Sequence, residues 1–209
     1  MWLQVVCAIL IVATGILVHQ EAIGQPAPLP HTELQTPALD STNVLSKTAT
    51  FGVYLNGRIP VGSFDVEVIT SPRKRVDVLS QWTMRLGPSW IQRTATTRLD
   101  GALRLHAEKH RKVHITDGVE YVDDHVALRK GSGRWRIRDK DASGAQVQEV
   151  QTTKDVHSSS LESMILLAPT LAMHGTGRYQ FTEIFSDDAV DASQGRLETF
   201  TVEVHDTST

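Results

Sequence analysis

Cysteine is almost absent from this chain, since Cys7 is the single cysteine in 209 residues. One thiol cannot form an intramolecular disulfide, and it cannot supply the several cysteine ligands of a structural zinc site. Cys7 also lies in a segment that we expect to be removed, so the mature chain would hold no thiolate nucleophile. The fold must therefore be held by its core, and the roughly 160 residues after Lys47 are enough for one core.

Charged side chains are absent from the first eighteen residues, Met1 to Val18. The apolar stretch 5–18 is followed by Ala22-Ile23-Gly24, a small-x-small step typical of signal-peptide cleavage. The stretch is shorter than the about 20 apolar residues of a transmembrane helix. We expect a signal peptide over 1–24 and an exported protein, periplasmic or extracellular. An uncleaved N-terminal anchor, which would be the only membrane contact, and a buried core segment are the alternatives.

Catalytic fingerprints are also missing, because the chain has no G-x-S-x-G elbow, P-loop or dinucleotide motif. His157-Ser158-Ser159-Ser160 places a base beside hydroxyls, but the run is typical of a helix N-terminus. Asp123 and His125 share one face of a strand, yet two ligands do not make a metal site. We therefore expect no enzyme activity, no cofactor and no metal, with a metal-dependent hydrolase as the third functional hypothesis.

Proline is concentrated before the main body, at positions 26, 28, 30 and 37. Four prolines remove backbone donors and favour extended conformations, so 25–46 is predicted to be a linker. It would be either a semi-rigid tether or a disordered mature N-terminus. Residues 47–209 are then one β-rich domain.

Three X-Gly pairs divide this domain: Asn56-Gly57, Asp100-Gly101 and Asp117-Gly118. Such pairs favour two-residue type I′ turns between antiparallel strands. The flanking segments alternate between apolar and polar residues, which is typical of strands. We expect a mainly β fold, a curved antiparallel meander of seven or more strands that forms a half-barrel or open sandwich.

One segment has helical periodicity, Ser159 to Met173. Ser159 and Glu162 fit a capping box, and Pro169 should end or kink the helix. We expect this helix to cover the apolar face of the sheet.

The strand, Asn-Gly turn and Pro60-Val61-Gly62-Ser63-Phe64 sequence within 51–64 resembles the opening of exported bacterial β-rich domains of unknown function. The later segment Ser160 to Pro169 is similar to their helix. That group looks related to half-barrel lipid carriers of the lipoprotein-localisation type. Over Lys47 to Phe185, the resemblance implies a curved sheet that carries an amphipathic ligand and has no catalytic residue.

His106, His110 and His114 recur at intervals of four, which would bring imidazoles together on a helix but separate them by about 13 Å along a strand. Odd positions of the same segment hold apolar residues: Leu103, Leu105, Ala107, Val113 and Ile115. This period of two predicts a strand with its histidines on a solvated outer face.

Basic residues are concentrated in 73–140, with sixteen Lys and Arg against eight acids, whereas 183–209 has seven acids and one Arg. Either the basic strands face an anionic ligand, or the acidic C-terminal strand pairs beside them and neutralises them. We favour neutralisation.

Trp135 stands between Arg134 and Arg136 after a glycine-containing loop, a combination suited to stacking on a sugar or head group. Trp90 follows Gly87-Pro88 and is the other candidate for ligand binding. The sequence thus predicts a non-catalytic envelope domain whose ligand is a lipid, lipoprotein or polysaccharide, and no nucleic acid. The alternative is an envelope assembly protein that contacts a partner protein through its basic sheet face.

Overall fold

A computed structural model describes residues 37–72, 74–185 and 196–205. Eight consecutive antiparallel strands form one open sheet in chain order, and two further strands form a separate ribbon. The sheet strands are β1 Lys47–Leu55, β2 Ile59–Thr70, β3 Val76–Leu86, β4 Ser89–Leu99, β5 Leu105–Thr116, β6 Val119–Arg129, β7 Arg134–Asp141 and β8 Gly144–Gln151. Helix α1 spans Leu161–His174, and the ribbon consists of β9 Gly177–Phe185 and β10 Arg196–Val204. The predicted meander with one helix in its C-terminal half is confirmed.

Two of the three X-Gly pairs have the positive φ values of a type I′ turn: Asn56 and Gly57 have 51° and 68°, and Asp117 and Gly118 have 53° and 77°. Asp117-Gly118 forms the predicted two-residue turn, whereas the loop at Asn56-Gly57 has three residues because Leu55 pairs with Ile59. The Asp100 turn differs, because the Asp100 carboxylate accepts from the backbone N–H groups of Ala102 and Arg104. Those bonds stabilise a longer loop, 100–104, in place of a two-residue turn.

The sheet packs one face, which we call the inner face, against α1 and the ribbon. The buried residues of this face, the helix and the ribbon make one core. On the sheet it includes Phe64, Val66, Val68, Val76, Val78, Leu99, Leu105, Trp135 and Ile137. Arg134, Arg136 and Arg138 alternate with the buried residues of β7 and lie exposed on the opposite, outer face. The period of two therefore assigned the faces of β7 correctly.

The same reasoning was wrong for β5, because the strand contains a bulge. Leu99 pairs with Leu105 while Arg98 pairs with Ala107, so His106 is an extra residue. A one-residue insertion transfers every later side chain to the other face. Glu108 is consequently buried and His110 is turned inward, whereas His106 stays exposed. The predicted outer row of three histidines does not exist.

Gly62, from the Pro60 to Phe64 sequence, allows β2 and β3 to approach closely. A Cβ atom at this position would lie 1.8 Å from the carbonyl oxygen of Thr83. The site cannot hold a larger residue unless the backbone moves, so this glycine is required by the shape of the sheet.

Helix α1 begins one residue later than the predicted capping box implies. Ser160 is the N-cap and accepts from the N–H of Ser163, while Glu162 is fully buried and contacts the sheet. Pro169 does not end the helix, which continues to His174. Next to the proline, Thr170 donates its hydroxyl proton to the carbonyl of Leu166 at 2.7 Å.

The acidic C-terminal strand does not pair beside the basic sheet strands, because β10 pairs with β9 in the ribbon. Within the ribbon, Glu203 forms an ion pair with Arg178 at 3.0 Å. The strand pairing assumed by the favoured explanation of the charge pattern is therefore wrong.

The packed structure starts before Lys47. Leu39 is 7% exposed and belongs to the core, and the N–H of Ser41 donates to the carbonyl of Gly101 at 2.8 Å. The end of the predicted linker is thus part of the domain. The predicted signal peptide, 1–24, and the linker up to residue 36 lie outside the described residues. In the described parts of the chain, no helix is both long and apolar enough to cross a membrane.

Candidate functional site

Charged side chains converge on the inner face beside α1. Hairpin geometry places them there, since a two-residue turn at Asp117-Gly118 pairs His110 of β5 with His125 of β6. Their rings lie 5.7 Å apart between centroids. On the neighbouring strands, register adds Arg93 opposite Lys112 and Asp139 opposite His125.

His110 connects two strands through both of its ring nitrogens. Nδ1 lies 2.9 Å from Nη2 of Arg93, and Nε2 lies 2.7 Å from Oε1 of Glu108. A guanidinium cannot accept a hydrogen bond, so we assign Nδ1 as the acceptor and Nε2–H as the donor to Glu108. His110 therefore has no nitrogen left to bind anything else in this arrangement.

Glu108 is the buried carboxylate at the centre of the site. Its second oxygen accepts from the Ser158 hydroxyl at 2.6 Å, just before the helix. Burial alone would raise the pKa of Glu108, but the hydrogen bonds from His110 and Ser158 and the nearby charge of His125 outweigh it and lower the pKa. Glu108 is thus held ionised inside the protein.

Glu162 brings a second buried carboxylate from α1. One oxygen accepts from Ser80 at 2.6 Å, and the other lies 3.5 Å from Nη2 of Arg93. Glu162 is 0% exposed, whereas the side chain of Arg93 is 20% exposed. Arg93 therefore joins the buried network to solvent.

His125 and Asp139 form a pair at the open side of the site. Nδ1 of His125 lies 2.6 Å from Oδ1 of Asp139. Burial lowers the pKa of His125, but the hydrogen bond and charge of Asp139, assisted by Glu108, outweigh it and raise the pKa. Nε2 of His125 has no partner among the described residues. We call Arg93, Glu108, His110, His125, Asp139 and Glu162 the inner-face network.

Two adjoining clefts open beside this network and share Arg93, His110 and His125. The larger, about 340 Å³, is lined by charged and amide side chains that include Lys112, Asp123, Asp139, Lys140 and Gln146. The smaller, about 260 Å³, lies at the start of the helix. Its wall adds the polar side chains of Glu108, His157, Ser158 and Glu183 and the apolar side chains of Leu105, Ala127 and Ile184. Both clefts are therefore lined mainly by polar side chains, and the smaller one has an apolar portion.

Two catalytic arrangements considered from the sequence are not formed by the described contacts. The Ser158 hydroxyl donates to a carboxylate and not to a histidine, so the described contacts do not form a nucleophile and base pair. The described residues hold no group of three or more His, Cys, Asp or Glu side chains that could bind a metal ion. The metal-dependent hydrolase hypothesis has no ligand set there.

The structure does not bring the predicted ligand-binding residues together. The Trp135 indole is 2% exposed and faces the core, while its neighbours Arg134 and Arg136 are exposed on the outer face. Trp90 is half-buried near the β3–β4 turn, in register with Arg85. Successive side chains of a strand point to opposite faces, so Trp135 points to the core with Ile137 while its arginine neighbours point outward.

The inner-face network went unpredicted for two reasons. The alternation of apolar and polar residues does not reveal the bulge at His106, so it predicts Glu108 and His110 on the outer face. Arg93 and Glu162 meet only because α1 packs on the sheet. One signal was present, because the Asp117-Gly118 turn fixes the register that pairs His110 with His125.

Comparison with protein-family models, curated proteins and solved structures found no match to this chain. The site must therefore be interpreted from its own geometry.

Proposed function

We propose that this chain is an exported cell-envelope domain that binds an amphipathic or anionic ligand and does not transform it. The candidate ligands are a lipid, a lipoprotein or a glycan. The observation that supports this function best is the pair of adjoining clefts that share Arg93, His110 and His125. A wall that is mainly polar, with three apolar side chains in the smaller cleft, suits a ligand that has both polar and apolar parts.

An amphipathic ligand fits the order of groups along the clefts. Lys112 and His125 are available to a polar head in the larger cleft. Leu105, Ala127 and Ile184 are available to an apolar portion in the smaller cleft, next to the core. Burying apolar atoms there would contribute about 25 cal/mol per Å².

Native mass spectrometry of the protein purified from its own cells tests this function. We expect a bound molecule that organic solvent releases and that contains both polar and apolar parts. Ile184→Arg places a charge in the smaller cleft and should reduce the bound fraction. Ile69→Arg, at an exposed position on β2, is the matched control and should not. A chain recovered bare from every preparation would contradict the proposal.

Export is a separate part of the proposal and rests on the apolar stretch before Gly24. N-terminal sequencing of the protein from fractionated cells should find it outside the cytosol and starting near residue 25. Recovery of the intact chain, beginning at Met1, from the cytosolic fraction would contradict export.

A second candidate function is contact with an acidic partner protein through the outer face. Lys109 and Arg138 flank Val126 across three strands, and Arg136 lies next to them beside Leu128. We call Lys109, Arg136 and Arg138 the basic outer patch. All three are exposed, and within the described residues none has an ion-pair partner. If the domain contacts an acidic partner protein, cross-linking in cells should capture that partner at this patch. Charge reversal at Arg138 should abolish the cross-link.

A further inference from the structure

Four cationic side chains of the larger cleft have nitrogen atoms left for a ligand, and three of them, Arg93, Lys112 and His125, belong to the inner face. On Arg93, Nη2 is occupied by His110 and Glu162, but Nη1 and Nε have no partner among the described residues. His125 keeps Nε2 after pairing with Asp139. Lys112 is exposed, lies beside Arg93 in the register and takes part in no ion pair within the described ranges.

The neighbouring acids are mostly occupied. Asp139 is bound to His125, Asp124 lies 3.9 Å from Arg111, and Asp141 accepts from the backbone N–H groups of Ser143 and Gly144. Asp123, opposite Lys112 on β6, has no partner in the described part of the chain. The unoccupied groups are therefore mainly donors, with one carboxylate beside them.

Building on the proposed function, we propose that the ligand carries an oxyanion, a phosphate or a carboxylate, and that this group binds where the two clefts meet, between Arg93, His125 and Lys112. Charge-assisted hydrogen bonds from guanidinium, imidazolium and ammonium groups are the contacts that such an oxyanion prefers. Asp123 repels the bound group and sets a limit on its affinity.

The source of the oxyanion is either a lipid head group or a free anion, and three probes distinguish them. Lysophosphatidylglycerol carries a phosphate oxyanion, monoacylglycerol of the same chain length has none, and glycerol phosphate lacks the apolar chain. Calorimetric titration of each into the purified chain gives the dissociation constant. We expect lysophosphatidylglycerol to bind about tenfold more tightly than monoacylglycerol, which is the scale of one charged hydrogen bond. Tight binding of glycerol phosphate would instead identify a free anion as the ligand.

Variants test the position of the oxyanion. Lys112→Gln and His125→Asn should each weaken lysophosphatidylglycerol binding about five- to tenfold. Lys109→Gln removes the same charge from the same strand on the outer face and should leave the constant unchanged. Asp123→Asn should strengthen binding, a change that no loss of folding can imitate.

The outcomes separate this inference from the proposed function. Equal binding of lysophosphatidylglycerol and monoacylglycerol, unaffected by Lys112→Gln, would overturn the oxyanion site but leave amphipathic binding intact. Weaker binding in Asp123→Asn would also overturn it, because it would indicate a cationic ligand group. Absence of binding by all three probes, together with a bare chain in native mass spectrometry, would overturn both.

Discussion

Glu162 of α1 lies over Arg93 of β4, with Oε2 and Nη2 3.5 Å apart. The second Glu162 oxygen accepts from Ser80 on β3. One helical residue therefore contacts two strands of the sheet. The contact joins the helix to Arg93, which lines both clefts.

Breaking this contact from one side should destabilise the fold strongly. Glu162→Ala leaves the Arg93 guanidinium without its carboxylate, and loss of one partner of a buried pair costs about 3 kcal/mol. Because Arg93 is partly exposed, water will reduce the loss of stability below that value. Urea denaturation of wild type and Glu162→Ala measures the difference in unfolding free energy.

The Arg93→Met, Glu162→Met double variant is the matched control. It removes both charges and fills the space with apolar atoms, so we expect it to unfold with a free energy closer to wild type than Glu162→Ala. Additive losses in the double-mutant cycle would show that the two residues do not interact.

Glu108 should contribute more to stability than an exposed glutamate on the same sheet. Glu108→Gln weakens the hydrogen bonds from His110 and Ser158, and a bond to a charged group contributes about 1.5–3 kcal/mol. Glu67→Gln, at an exposed position of β2, should change the unfolding free energy by less than about 0.5 kcal/mol. If the two variants were equally stable, Glu108 would not be buried.

Gly62→Ala should be costly because the new Cβ meets backbone. Its distance of 1.8 Å from the Thr83 carbonyl oxygen forces β2 and β3 apart, at about 1–3 kcal/mol or more. Gly101→Ala is the control, since the nearest atom there is Cβ of the exposed Lys74, at 3.1 Å. Thermal unfolding should rank Gly62→Ala clearly below Gly101→Ala, and the reverse order would contradict the close approach of the strands.

The stability contributed by His125 should depend on pH. Its pKa is raised on folding, so its contribution is complete below the ordinary value of about 6.5 and is lost as pH rises through the folded-state value. The difference in unfolding free energy between wild type and His125→Asn should therefore shrink as pH increases above about 6.5.

His157 provides a comparison of opposite sign. Burial lowers its pKa, so the folded state loses stability as pH falls below about 6.5. As pH falls below about 6.5, the wild type should lose unfolding free energy relative to His157→Asn. If the difference from wild type changed with pH in the same direction for His125→Asn and His157→Asn, the opposite pKa shifts of the two histidines would be contradicted.

The sequence predicts the architecture of this protein better than its site. The alternation in β2, β3 and β7 and the turns at Asn56-Gly57 and Asp117-Gly118 follow from local chemistry, so they can be read residue by residue. The Asp100 loop could not be read in this way, because side-chain hydrogen bonds override the turn that its Asp-Gly pair favours.

The site depends on contacts between distant segments. Ser158 and Glu108 are fifty positions apart, and Ser80 and Glu162 eighty-two. Period-two reasoning also fails at a bulge, since the inserted His106 reverses the faces for the rest of β5. Both effects hid the inner-face network, although each residue in it is an ordinary polar side chain.

The histidines of β5 and β6 offer the most direct test of where the ligand binds. Imidazole NMR signals can be followed while lysophosphatidylglycerol is added to the labelled protein. We expect the His110 and His125 signals to shift with a common dissociation constant. The signal of His106, the exposed residue of the bulge, should not shift. A shift of His106 with no change at His110 and His125 would contradict binding at the inner face.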